Sequence, residues 1–140
     1  MNGASNYYSC PLPIIITFNS IASCPLNFTQ NFLKQVEETK ANIGPYLNLY
    51  QVHSATFDSG ILINTEVHEA LHRCRVENGW KIGLSVSGPN QDEVIREALK
   101  IHVSNSDEQQ SPQRLFDSVQ CTYNILEQHP VSCTCITRCT

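Results

Sequence analysis

Tyr46-Leu47-Asn48-Leu49-Tyr50-Gln51-Val52, held between Gly44-Pro45 and His53-Ser54, decides how the rest of the chain is read. The run is aromatic and aliphatic and too short for a helix between its breakers, so it predicts a β-strand. Upstream, Phe28, Phe32, Leu33, Val36 and Ile43 fall close to one face of a helix that Asn27 or Thr29 can cap and that Gly44-Pro45 stops. Downstream, a second helix is expected from Asn64, with Glu66 in its first turn and Val67, Ala70, Leu71 and Cys74 buried, ending before Asn78-Gly79. Lys81 to Ser85 reads as the next strand. Gly88-Pro89-Asn90 then turns the chain into a third helix carrying Val94, Ile95, Ala98, Leu99 and Ile101, with Asp92 and Glu93 at its start. A polar loop from Ser104 to Gln113 leads to a third strand over Leu115 to Val119.

Strand starts near Leu47, Lys81 and Phe116 lie 34 and 35 residues apart, the length of consecutive βα units. Helical repeats share that period, but the strand-like segments and the lack of a recurring motif oppose them. Strands alternating with helices imply parallel pairing, right-handed crossovers and an α/β fold.

The 140 residues allow one domain, and 9 basic against 13 acidic residues give a net charge of −4 with no block of either sign. Such a surface is not suited to tracking nucleic-acid phosphates. No apolar run approaches the ~20 residues that span a bilayer. The opening stretch has an apolar Ile14-Ile15-Ile16, but no Lys or Arg precedes it and Pro13 interrupts it, unlike a signal peptide. We therefore expect an uncleaved, cytoplasmic chain. Seven cysteines are an odd count for a closed disulfide framework. Cys133, Cys135 and Cys139 form C-x-C-x3-C, which departs from structural zinc spacing and suits a disordered, thiol-bearing tail.

In a parallel sheet His53, Ser85 and Gln120 all fall at or just past a strand's C-terminal end, the edge where α/β proteins place their chemistry. The ordered runs Tyr50-Gln-Val-His53-Ser-Ala-Thr56, Ile82-Gly-Leu-Ser85 and Phe116-Asp-Ser-Val-Gln120 resemble the fourth, fifth and sixth strands of aldo-keto reductases, over about Phe28 to Glu127. The resemblance implies a partial (β/α)8 TIM barrel of about three consecutive βα units, flanked by irregular ends. It implies an oxidoreductase lineage in which NADPH reduces a small carbonyl substrate. His53 matches the catalytic histidine that orients the substrate oxygen, and Ser85 and Gln120 match cofactor-binding residues that hold the nicotinamide carboxamide. Val86 stands where the family has Asn.

The family's catalytic Asp, Tyr and Lys precede the strand matched by Tyr46 to Val52, and residues 1–27 carry no matching motif. A full barrel takes about 250 residues, so the chain corresponds to roughly half of one and is expected to be inactive alone. We assign residues 1–27 to an irregular segment, 28–128 to the aldo-keto-reductase-like part and 129–140 to the Cys-rich tail. Unclosed edges and apolar faces point to self-association or a protein partner. The rival function is a zinc metallopeptidase: His68-Glu69-Ala-Leu-His72 matches HExxH, with Glu93 available as a third ligand. His68 and His72 are expected to flank the buried helix face as surface residues, so no metal is assigned. A non-catalytic interaction protein is the third possibility.

Overall fold

The computed structural model describes residues 14–19, 28–104, 111–126 and 128, with the backbone alone given for 14–19 and Phe28. The elements run β1 (Ile14–Asn19), α1 (Phe28–Ile43), β2 (Leu47–Ala55), α2 (Thr65–Asn78), β3 (Lys81–Val86), α3 (Gln91–Ala98), β4 (His102–Val103), β5 (Gln113–Arg114) and β6 (Ser118–Gln120). Four strands pair in the order β1-β2-β3-β6, every neighbour parallel, while β4 and β5 form a small antiparallel ribbon. The main sheet thus follows chain order without reversal. Each crossover steps the same way along the sheet, and with a common hand all three helices fall on one face.

The core follows from that arrangement. Phe32 and Val36 of α1, Val67, Ala70, Leu71 and Cys74 of α2, and Val94, Ile95 and Ala98 of α3 form one buried cluster with Tyr50, Val52, Ala55, Ile82, Leu84 and Val86. Tyr50 is its centre. Its ring stacks on Trp80 at 5.9 Å and meets Phe32 edge-on at 6.0 Å, two aromatic contacts of roughly 0.5–1.5 kcal/mol each beyond area burial.

Helix ends obey local chemistry. Asn64 caps α2 by accepting a hydrogen bond from Val67 N at 3.1 Å. Gly79, at φ 71°, closes the other end with its N–H on Arg75 O, a left-handed position that favours glycine. Thr29 lies inside α1, where its hydroxyl donates to Glu66 Oε2 at 3.0 Å.

Several expectations need correction. Ile14–Asn19, placed in an irregular segment, is a strand paired along β2, so the sheet has four strands and not three. A six-residue, mostly apolar run cannot be told from other apolar segments by periodicity alone, and only its neighbour identifies it. β2 runs three residues beyond Val52, and α3 ends at Ala98, so Ile101 reaches the core from a turn. The last strand begins at Ser118: Leu115 and Phe116 are buried but carry no ladder, because Arg75 and Ile101 hold the backbone there instead. Leu33 is 40% exposed, at the margin of the face assigned to it. Among the described residues the sheet is open, with β1 and β6 as edges, and no helix is long and apolar enough to cross a membrane. The Cys-rich tail lies outside the described residues.

Candidate functional site

Side chains alternate along a strand, so while Tyr50, Val52, Ile82, Leu84 and Val119 face the helices, their neighbours face the other way. That second face is mainly polar. Leu49, Gln51 and His53 lie on it from β2, Gly83 and Ser85 from β3, and Ser118 and Gln120 from β6. Contacts across the strands confirm the sides: a Cβ at Gly83 would sit 2.9 Å from Ser118 Oγ, 3.1 Å from Gln51 Oε1 and 3.2 Å from Leu49 Cδ1.

Parallel pairing then brings the strand ends level. Ser85 pairs directly with Gln120, and Val52 pairs with Leu84, so His53 and Ser85 follow at the same height on adjacent strands. His53 is half-buried and pairs in register with Asn19 of β1. The following residue, Ser54, has φ 53°, and the β2–β3 register skips between Val52 and Ala55. A left-handed serine in a strand is uncommon, and such bulges bend the strand and re-aim the adjacent side chains. Ser54 Oγ lies 3.4 Å from His53 Nε2, at the long limit of a hydrogen bond. Ser85 is 9% exposed whereas Gln120 is open to solvent, so this face is more accessible at β6 than at β3.

Gln51 is 3% exposed and its Nε2 donates to Gln120 Oε1 at 2.7 Å. The bond spans from β2 to β6 across β3, which is possible because Gly83 carries no side chain at the crossing. Neither Gln51 nor Gly83 stood out in the sequence. A polar residue alternating with apolar ones in a strand that looks fully buried was the available signal.

A clamp from the helix layer sets β6 beside β3. Arg75 of α2 donates to Arg114 O at 3.0 Å, to Leu115 O, and to Asp117 Oδ2 at 2.9 Å. The same carboxylate oxygen accepts from Ile82 N at 2.8 Å, and Asp117 N returns a bond to Ile82 O. Beyond the strand, buried Gln91 at the start of α3 accepts from Thr122 N at 2.8 Å. The short β6 is therefore held at both ends by side chains from helices.

The HExxH residues lie elsewhere, in a cavity of about 460 Å³ between α2 and β4 that His68, Glu69, His72, Arg73 and His102 help to line. His68 is not the surface residue expected. It is 7% exposed, its Nε2 lies 2.5 Å from Ile61 O, and burial lowers its pKa while the carbonyl contact partly offsets that. One of its two possible metal-binding nitrogens is thus engaged by the backbone of the β2–α2 loop. Among the described residues no three His, Cys, Asp or Glu side chains are grouped to hold a metal ion. Cys74 is a free thiol that burial pushes up to about 11, far from the thiolate range of reactive cysteines. No protein-family model, curated protein or solved structure matches this chain.

Proposed function

We propose that the polar strand-end face is an aldo-keto-reductase-like half-site that binds the nicotinamide end of NADPH, within a partial βα barrel that does not catalyse carbonyl reduction by itself. One observation carries this reading: His53, Ser85 and Gln120 come from three successive parallel strands and lie on one face at one end, with Ser85 and Gln120 directly paired. Residues of these types suit a carboxamide. The Ser85 hydroxyl can donate or accept and the Gln120 amide can donate through Nε2, so together they match a group with one carbonyl oxygen and one amino group. NADPH would supply a hydride. His53 would direct an N–H at the oxygen of a small carbonyl substrate, which orients it and stabilises charge developing there.

Reduction also needs a proton donor tuned to neutral pH, and the aldo-keto reductase Tyr, Lys and Asp have no counterpart in the matched strands. Calorimetric titration of NADPH into the 140-residue chain tests the proposal. Saturable binding is expected, weakened about tenfold by Gln120→Leu, the loss of one good hydrogen bond to a ligand. An absorbance assay with aldehydes should show no NADPH consumption above background. Absence of saturable binding would remove the half-site, and turnover abolished by His53→Ala would remove the claim of inactivity.

A further inference from the structure

We infer that Gln51 is a positioning residue that sets the hydrogen-bond polarity of Gln120, so that this face selects ligand groups presenting an acceptor oxygen. The inference deepens the half-site proposed above and rests on a ligand lying against Ser85 and Gln120.

A glutamine amide has an acceptor end and a donor end of almost the same shape, so on an exposed strand it can present either. Gln120 has lost that freedom. Gln51 Nε2 donates to Gln120 Oε1 at 2.7 Å, and turning the Gln120 amide over would set one NH2 group against another. Gln51 cannot easily follow such a turn. It is 3% exposed and packed into the space that Gly83 leaves, so its reversal would have to take place inside the sheet face. Two donors facing each other beside a buried group leave one of them unsatisfied, the costly outcome for a polar atom shielded from water.

With Oε1 turned toward Gln51 and one of its lone pairs taken there, the Nε2 end of Gln120 is the end presented to a ligand, and Gln120 itself is exposed. Ser85 does not discriminate, because a hydroxyl rotates to donate or accept. Selection therefore falls to Gln120. It favours the carbonyl oxygen of a ring carboxamide or ester and disfavours a ring that can place only N–H groups there. Gln51 touches no ligand in this scheme and acts solely through Gln120.

Side-chain amide exchange on the full 15N-labelled chain tests the inference without a ligand. In the wild type, Gln51 Nε2 hydrogens should exchange slowly and those of Gln120 rapidly. At a pH where its carboxyl is ionised, Gln51→Glu supplies only acceptors, so Gln120 must turn its Nε2 inward, and its hydrogens should become the protected ones. Wild-type Gln51 hydrogens exchanging as fast as those of a solvent-exposed glutamine would overturn the inference, even if the variant fails to fold. So would Gln120 signals that are the same in both proteins.

Ligand selectivity supplies the second readout, using methyl nicotinate, a neutral ring bearing acceptors only, and nicotinamide, which can turn its NH2 group toward Gln120. Gln51→Glu should weaken methyl nicotinate about tenfold and nicotinamide distinctly less. Equal losses for both would overturn the selectivity. If neither compound perturbs wild-type signals, the half-site proposal fails, while amide exchange still decides what Gln51 does to Gln120.

Discussion

Gly83 shows how a residue with no side chain shapes this face. Its φ is unremarkable, so the requirement is space: an added methyl would meet Ser118 Oγ at 2.9 Å, inside the distance Cβ atoms tolerate, and crowd Gln51 and Leu49. Gly83→Ala is expected to destabilise the chain by about 1–3 kcal/mol, the usual cost of overpacking, and to break the Gln51–Gln120 bond. A urea midpoint unchanged from wild type would show that the strands part without cost. His68 makes the second residue-scale prediction. Burial makes it harder to protonate folded than unfolded, where its value is near 6.5, so below that pH the unfolded chain binds more protons. Its contribution is fully present above pH 6.5 and declines as the pH falls through the range down to the lowered folded value. Urea denaturation between pH 7 and 5 should show stability falling with pH, and His68→Gln, whose amide can still donate to Ile61, should flatten that slope. Identical slopes would place the pH sensitivity in other groups.

Among the elements, α2 is the best determined by its own residues. Asn64 caps it, Gly79 ends it, and five of its side chains are buried at helical spacing. Asn64→Ala should cost about 1 kcal/mol, since the Val67 N–H loses its only local acceptor. A stability change under a few tenths of a kcal/mol would mean that water replaces the cap. β6 is the opposite case, three residues long and held by Arg75, Asp117 and Gln91 from outside. Arg75→Met should therefore cost about 2–4 kcal/mol by leaving Asp117 and two carbonyls less satisfied. Its distinctive sign would be faster amide exchange over Ser118–Gln120 than over β2. Uniform exchange across the sheet would show that β6 stands without the clamp.

At the scale of the molecule, the described residues form a sheet in chain order with its helices on one face, and among them both edges and the opposite face are left to other contacts. Ile63, Tyr123, Ile125 and Leu126 are each more than 60% exposed, three of them just beyond β6. Backbone groups at a bare edge and apolar side chains beside it favour association. The 140-residue chain is expected to show a weight-average mass that rises above 15.7 kDa with concentration in sedimentation equilibrium. A constant monomer mass together with one sharp melting transition would show that residues 1–13, 20–27 or 129–140 cover these surfaces.

The sequence alone marks the elements whose signals are local. Gly44-Pro45, Asn64 and Gly79 mark helix ends, and the spacing of Phe32, Val36, Val67, Leu71, Val94 and Ile95 marks the faces that reach the core, so α1 and α2 could be bounded to within a residue. It also put His53, Ser85 and Gln120 at strand ends. That Ile14–Asn19 is a strand follows from the fold, because a short, mostly apolar run has no period of its own and gains its identity from the ladder with β2. Only the tertiary structure turned His68 inward to Ile61, and joined Gln51 to Gln120 across Gly83, 69 residues apart in sequence. Hydrogen bonds of that span depend on strand register and on which side chain is missing in between, and neither quantity is written in any single stretch of residues.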